Sequence, residues 1–171
     1  MPATATVQVR QTTTTTTSRA SVLVINSGYV TSKLGLLKLI LLILSLICFI
    51  LLLLEASHSY DRYWYHGYYY PPSDQFLILV CFANWYTITL MLIAALLSLG
   101  TASILPKTSF DFIFHFIGCV LFLIGGLWVA VGAFKHDNRS VKIQTACIIA
   151  LICGIIHLVH GVFSYRLCIT N

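Results

Sequence analysis

His157 and His160 stand three residues apart in an otherwise apolar stretch, so a helix would carry both imidazoles on one face, one turn apart. A metal site or a proton relay uses such a pair. His115, Lys38 and Asn84 are further polar groups inside long apolar runs. An ionisable side chain in that setting raises a functional hypothesis by default, because it is costly to hold there. No Asp or Glu lies midway along a run to complete a ligand set. Neutral histidines hydrogen-bonded between helices are therefore the expected role, with no metal and no cofactor. The chain shows no nucleophile beside a base in a plausible pocket, so neither an enzyme nor a small-molecule substrate is expected. A transport pathway would need several polar groups converging at mid-membrane, or interrupted helices, and the sequence suggests neither.

These residues must be positioned by four apolar runs, about 34–54, 76–105, 110–134 and 145–167, separated by short polar gaps. A bilayer's hydrocarbon core is roughly 30 Å thick and takes about 20 apolar helical residues to cross. Each run is long enough, and none carries the polar stripe of a soluble helix. Only 9% of residues are charged and 58% are hydrophobic, against about 25% charged in ordinary soluble domains. The expected fold is all-α, a bundle of four transmembrane helices over residues 33–168. A Thr-rich disordered tail over 1–32 and a short tail over 169–171 flank it. The net charge of +5 is dispersed, which speaks against nucleic acid and for anionic lipid near the span ends.

Four spans put both termini on one side. With the termini in the cytosol, the inside carries Arg10, Arg19, Lys33, Lys38, Lys107 and Arg166, and the outside Arg62, Lys135, Arg139 and Lys142. That bias, with Lys38 reaching back to the headgroups, favours cytosolic termini. The sequon Asn138-Arg139-Ser140 would then face outward, too close to the third span for efficient glycosylation. Ser109 is expected to cap the third helix, with Asp111 complementing its positive end.

All six cysteines lie in or at the end of a span, so no disulfide-bonded outer domain is expected. Cys168, at the end of the last span, is a juxtamembrane candidate for palmitoylation. The sizeable loop, Glu55 to Gln75, packs seven aromatics into the eleven residues from Tyr60 to Tyr70. Tyr60, Tyr63, Trp64, Tyr65, Tyr68, Tyr69 and Tyr70 read as an interfacial belt on the outer leaflet, or as a contact surface for another membrane or protein. Gly67, Pro71 and Pro72 argue against regular structure there. Small residues four apart, Ala94 and Ser98, Gly126 and Ala130, Ala150 and Gly154, suit close helix packing, within the bundle or between copies.

Several stretches together resemble the MARVEL-domain family, in particular its chemokine-like-factor-type members and their insect relatives. They are the Thr-rich leader running into Asn26-Ser27-Gly28-Tyr29, the opening Gly35-Leu36-Leu37-Lys38-Leu39 of the first span, and Leu105-Pro106-Lys107-Thr108 followed by Phe110-Asp111-Phe112. The short last outer loop and the small-residue fourth span also fit. The first span departs from the pattern in continuing as Ile40-Leu41-Leu42, and the aromatic loop is unusual. The resemblance implies a four-helix bundle with cytosolic ends, in the plasma membrane or vesicles. It also implies a non-enzymatic role in vesicle trafficking, lipid-microdomain organisation, cell junctions and membrane fusion, including myoblast fusion in insects. Partners would be membrane lipids and other membrane proteins, including further copies. A junctional scaffold and an accessory subunit of a channel or transporter are the alternatives.

Overall fold

The computed structural model describes residues 26–66, 71–135 and 140–170, and within them all side chains except those of 59–66 and 135. The Thr12–Thr17 tract, the aromatic side chains from Tyr60 to Tyr70, Asn138 and Arg139 lie outside the described side chains. The described residues are all-α, a bundle of four long helices, each long and apolar enough to cross a membrane. In order they are α1 (Ser27–Val30), α2 (Lys33–His66), α3 (Pro72–Leu97), α4 (Leu99–Ile104), a single 3-10 turn (Leu105–Lys107), α5 (Ser109–Lys135) and α6 (Val141–Ile169). The four long helices pack in a ring, α2 against α3, α3 against α5, α5 against α6 and α6 against α2, with the α5–α6 interface the most extensive.

The residues that point inward follow alternating three- and four-residue steps. In α2 they are Lys38, Leu41, Ser45, Cys48, Leu52 and Glu55. In α6 they are Ile143, Ala146, Ala150, Cys153, His157, His160 and Ser164. This is the seam spacing of coiled coils and four-helix bundles. The seam mixes small and polar residues with large apolar ones such as Leu41 and Leu52, while many other large apolar residues, among them Leu79, Ile117, Val131 and Ile155, face outward. That inverted arrangement suits a hydrocarbon surround. There the apolar effect does not drive helices together, and small side chains and hydrogen bonds do.

Several boundaries differ from the sequence reading, and α3 and α6 each begin four residues early, at Pro72 and Val141. Residues 26–32, assigned there to the tail, are folded: Tyr29 in α1 is only 6% exposed, and the Asn26 amide donates to the Leu96 carbonyl at 2.9 Å. Helix α2 does not end near Leu54 but runs on to His66, through the first part of the aromatic stretch. The loop expected from Glu55 is thus helical for its first half, because no Gly or Pro interrupts it before Gly67. The second apolar run is not one helix. It breaks at Ser98, whose backbone is extended and whose side chain accepts from the Thr101 amide at 3.2 Å, capping α4. At the next junction Ser109 is the first helical residue, and the extended Thr108 precedes it.

Candidate functional site

The end of the bundle that holds α1 and the last turn of α6 contains a buried chain of polar side chains. Tyr29 comes from α1, Lys38 from α2, Asp111 and His115 from α5, and His157, His160 and Ser164 from α6. Lys38 and Asp111 are each fully buried and paired, Nζ to Oδ1, at 2.5 Å. The ammonium also donates to the Tyr29 hydroxyl at 3.4 Å. The other carboxylate oxygen, Oδ2, accepts from the Ser164 hydroxyl and lies 3.7 Å from His160 Nδ1. Burial, and after it the charge of Asp111, pushes the Tyr29 phenol up to about 12, so this residue enters the network as a neutral hydroxyl.

The network assigns a tautomer. Ser164 gives its hydroxyl proton to Asp111, so its oxygen is left to accept, and His160 Nδ1 at 3.3 Å is the donor. His160 Nε2 makes no close hydrogen bond to a protein group. The His160 ring stacks on His115 with centroids 3.6 Å apart. His115 and His157 share one proton between their Nδ1 atoms at 2.9 Å. Beyond them the chain of polar groups stops against aromatic carbon: Phe122 stacks on His157 at 5.4 Å, and Phe114 meets its edge at 6.0 Å.

Room for His157 is made by Gly118 on α5. A Cβ placed there would lie 2.8 Å from two atoms of the imidazole. Gly118→Ala should therefore push His157 out of line. The expected loss is about 1–3 kcal/mol of stability, the usual cost of overpacking a filled site, although alanine favours helix. Thermal unfolding in detergent measures it, and an unchanged or raised midpoint would contradict the close contact.

Sequence reading found Lys38, His115, His157 and His160 but not what joins them. It treated Asp111 as a helix-end charge and Lys38 as reaching out to headgroups; the structure instead turns both inward onto each other. The expected absence of an acid beside the histidines is thereby overturned, since Asp111 enters from the first turn of α5. So is the expectation that polar groups do not converge; the four candidate spans are each one continuous helix, as expected, because the break at Ser98 falls after the second of them ends at Leu97. Asp111, His115 and His160 place donor atoms within 4.8 Å of one another, a set that could hold a metal ion. Two features oppose it as arranged here: Lys38 already holds the carboxylate, and stacked rings aim their lone pairs side by side rather than at one point.

The remaining candidates are dispersed. Asn84 is buried in α3 with neither amide atom meeting a protein partner. Gly126 and Gly154 lie buried on facing helices, where a Cβ would reach to 3.0 Å from Leu151 and 2.9 Å from Leu123 respectively. Ala130 is half-buried, Ala150 buried, Ala94 exposed, and Ser98 is the cap of α4. The five cysteines within the helices are buried and free, and Cys168 is half-buried in the last turn of α6. No protein-family model, curated protein or solved structure matches this chain.

Proposed function

We propose that this multi-pass protein is a non-enzymatic organiser of membranes of the MARVEL type. It acts where vesicles or cells meet and fuse, in the plasma membrane or vesicles, with both termini in the cytosol. The observation that carries this reading is the inverted bundle. The buried polar side chains at its terminal end join in a chain that ends against Phe114 and Phe122, while many of its large apolar residues face outward. A protein built this way works through its outer face and its ends rather than through a central path. The order of the sequence stretches given above, from Asn26-Ser27-Gly28-Tyr29 to Phe110-Asp111-Phe112, supports the family assignment.

The aromatic segment from Tyr60 to Tyr70 provides the outer contact in this reading. Aromatic residues dominate contact hot spots and sit readily at the headgroup level. Replacing Tyr63, Trp64 and Tyr65 together with Ser should leave the protein folded and inserted but cut its clustering at contact sites by roughly twofold or more. Imaging a chain tagged at its amino terminus in native tissue provides the readout. Puncta that reach contact sites just before membranes merge, and that the triple variant loses, support the proposal. A continuous line along lateral borders, unaffected by the variant, would instead mark a junctional scaffold.

A further inference from the structure

The outward face of α3 carries two hydroxyls at the middle of the membrane. Tyr86 is 53% exposed and Thr87 half-buried, and neither hydroxyl meets a hydrogen-bond partner among the described residues. Thr89, two positions on, is satisfied in the ordinary way for a helical threonine, giving its proton to the Trp85 carbonyl at 2.7 Å. Tyr86 lies 14 residues after Pro72 and 11 before Leu97, the ends of its span. At about 1.5 Å per residue those distances are about 21 Å and about 16 Å, against a hydrocarbon half-thickness of roughly 15 Å. A phenol cannot reach water from there, and a hydroxyl left bare in hydrocarbon costs free energy. The face around it is regular. Leu79, Ala83, Tyr86, Leu90 and Ile93 are all exposed and follow alternating four- and three-residue steps, the spacing of a helix–helix seam. Ala83 and Thr87, four apart, make a small-residue notch beside the tyrosine. The Tyr86 ring is already held, because it stacks on Phe82 at 6.3 Å. Phe82 in turn meets Trp85 at 6.2 Å and Phe49 of α2 at 5.6 Å.

We propose that α3 joins two copies of this chain around a two-fold axis normal to the membrane, with Tyr86 and Thr87 hydrogen-bonded across the contact. Copies of a multi-pass protein insert in the same orientation, so each residue meets its own equivalent at the same depth, and the face must complement itself. A hydroxyl does so, since it both donates and accepts; an ammonium or a carboxylate there could not. Tyr86 of one copy gives its proton to Thr87 or Tyr86 of the other. The notch at Ala83 and Thr87 lets the two α3 backbones approach, and the seam spacing keeps them in contact along the span. Acyl chains would cover this face and leave both hydroxyls bare. A sterol would stack on the rings, but its own hydroxyl lies at the headgroup level, not at mid-membrane. Because the Tyr86 ring is ordered before association, less entropy is lost when the copies meet. The proposal deepens the membrane-organising reading by naming one partner, a further copy, and the helix that meets it. It rests on that reading only for the use of the contact in the cell.

The test is energy transfer between donor- and acceptor-labelled full chains in phosphatidylcholine liposomes, with the protein-to-lipid ratio varied. The unmodified chain should show transfer that saturates as the ratio rises and falls when unlabelled copies are added. Tyr86→Phe combined with Thr87→Val removes both hydroxyls at nearly constant shape. It should weaken association about threefold to thirtyfold, the range that interhelical hydrogen bonds in membranes span. Ala83→Leu fills the notch at an exposed position, outside the bundle core, and should weaken association about tenfold or more, the scale of an overpacked contact. Ile155→Ala, on the outward face of α6, should leave it unchanged. A chain that stays monomeric at high protein-to-lipid ratio would overturn the proposal and mark the face for a different protein. Association that survives both α3 variants, each still helical by circular dichroism, would overturn it as well, since the copies then meet elsewhere. Because the readout is contact between purified copies, it can fail while clustering at contact sites in cells persists, or the reverse.

Discussion

Asp111→Ala should cost the bundle about 3–5 kcal/mol, because it strands a fully buried Lys38 ammonium without its counter-charge. The same change removes the acceptor of Ser164 and the anion near His160, so three helices lose a shared anchor at once. Unfolding in mixed micelles of rising SDS content, followed by helical circular dichroism, measures the loss. The double variant Lys38→Met, Asp111→Leu is the informative partner. A pair of apolar residues needs no counter-charge, and exchanging a buried ion pair for apolar side chains is often neutral or stabilising. The double variant should therefore recover most of what the single one loses. If Asp111→Ala alone leaves stability unchanged, the pair is not buried in the folded protein. If the double variant is as unstable as the single, the anchor acts through Ser164 and His160 more than through charge.

Gly35→Ala should be comparably damaging, against the usual trend. Alanine in a helix interior ordinarily gains about 0.5–1 kcal/mol over glycine. At position 35 a Cβ would sit 2.0 Å from the Tyr29 carbonyl oxygen and 2.9 Å from its carbon. Those are backbone atoms of the α1 turn and cannot swing aside as a side chain can. Either α1 lifts off α2, or the start of α2 bends. The expected cost is at or above the top of the roughly 1–3 kcal/mol that overpacking brings. Lifting α1 also withdraws the Tyr29 hydroxyl from Lys38 and the Asn26 amide from Leu96. Hydrogen exchange provides a local readout: the amides of Asn26 and Ser32 should lose protection in Gly35→Ala while those of α3 keep theirs. Unchanged protection at both would show that the turn does not seat on Gly35.

Much of the architecture was legible in the apolar runs, since length and composition alone decide that a helix can cross a bilayer. Which face of each helix turns inward was also written in the chain, though in an inverted form. Lys38, Ser45, Cys48 and Glu55 mark the α2 seam at bundle spacing, and His157, His160 and Ser164 continue it in α6. A search for apolar stripes passes over such a seam because its neighbours are more apolar than it is. The partnership of Asp111 could not be read locally. It lies 73 positions from Lys38 and 53 from Ser164, and only the packing of three helices brings them together. The break at Ser98 was hidden for another reason. The apolar run continues across it, and a serine that caps a new helix looks the same in sequence as one that packs a continuous helix.

The long separation of Lys38 from Asp111 also imposes an order on biogenesis. Lys38 enters the membrane with the first span, but its counter-charge is made 73 residues later, roughly 4–15 s at about 5–20 residues per second. Through that interval a nascent chain holds a cation at a depth where an unpaired one costs about 2.5–3.5 kcal/mol at the helix centre, less near the end. Ser164 is added later still, with the last helix. The first two spans are thus an unfinished pair until α5 arrives, and a chain stalled before Asp111 carries an exposed intramembrane lysine. Cells that sort membrane proteins by unpaired charges would retain or remove such a fragment, so the same contact that ties the finished bundle together also reports whether it has been finished.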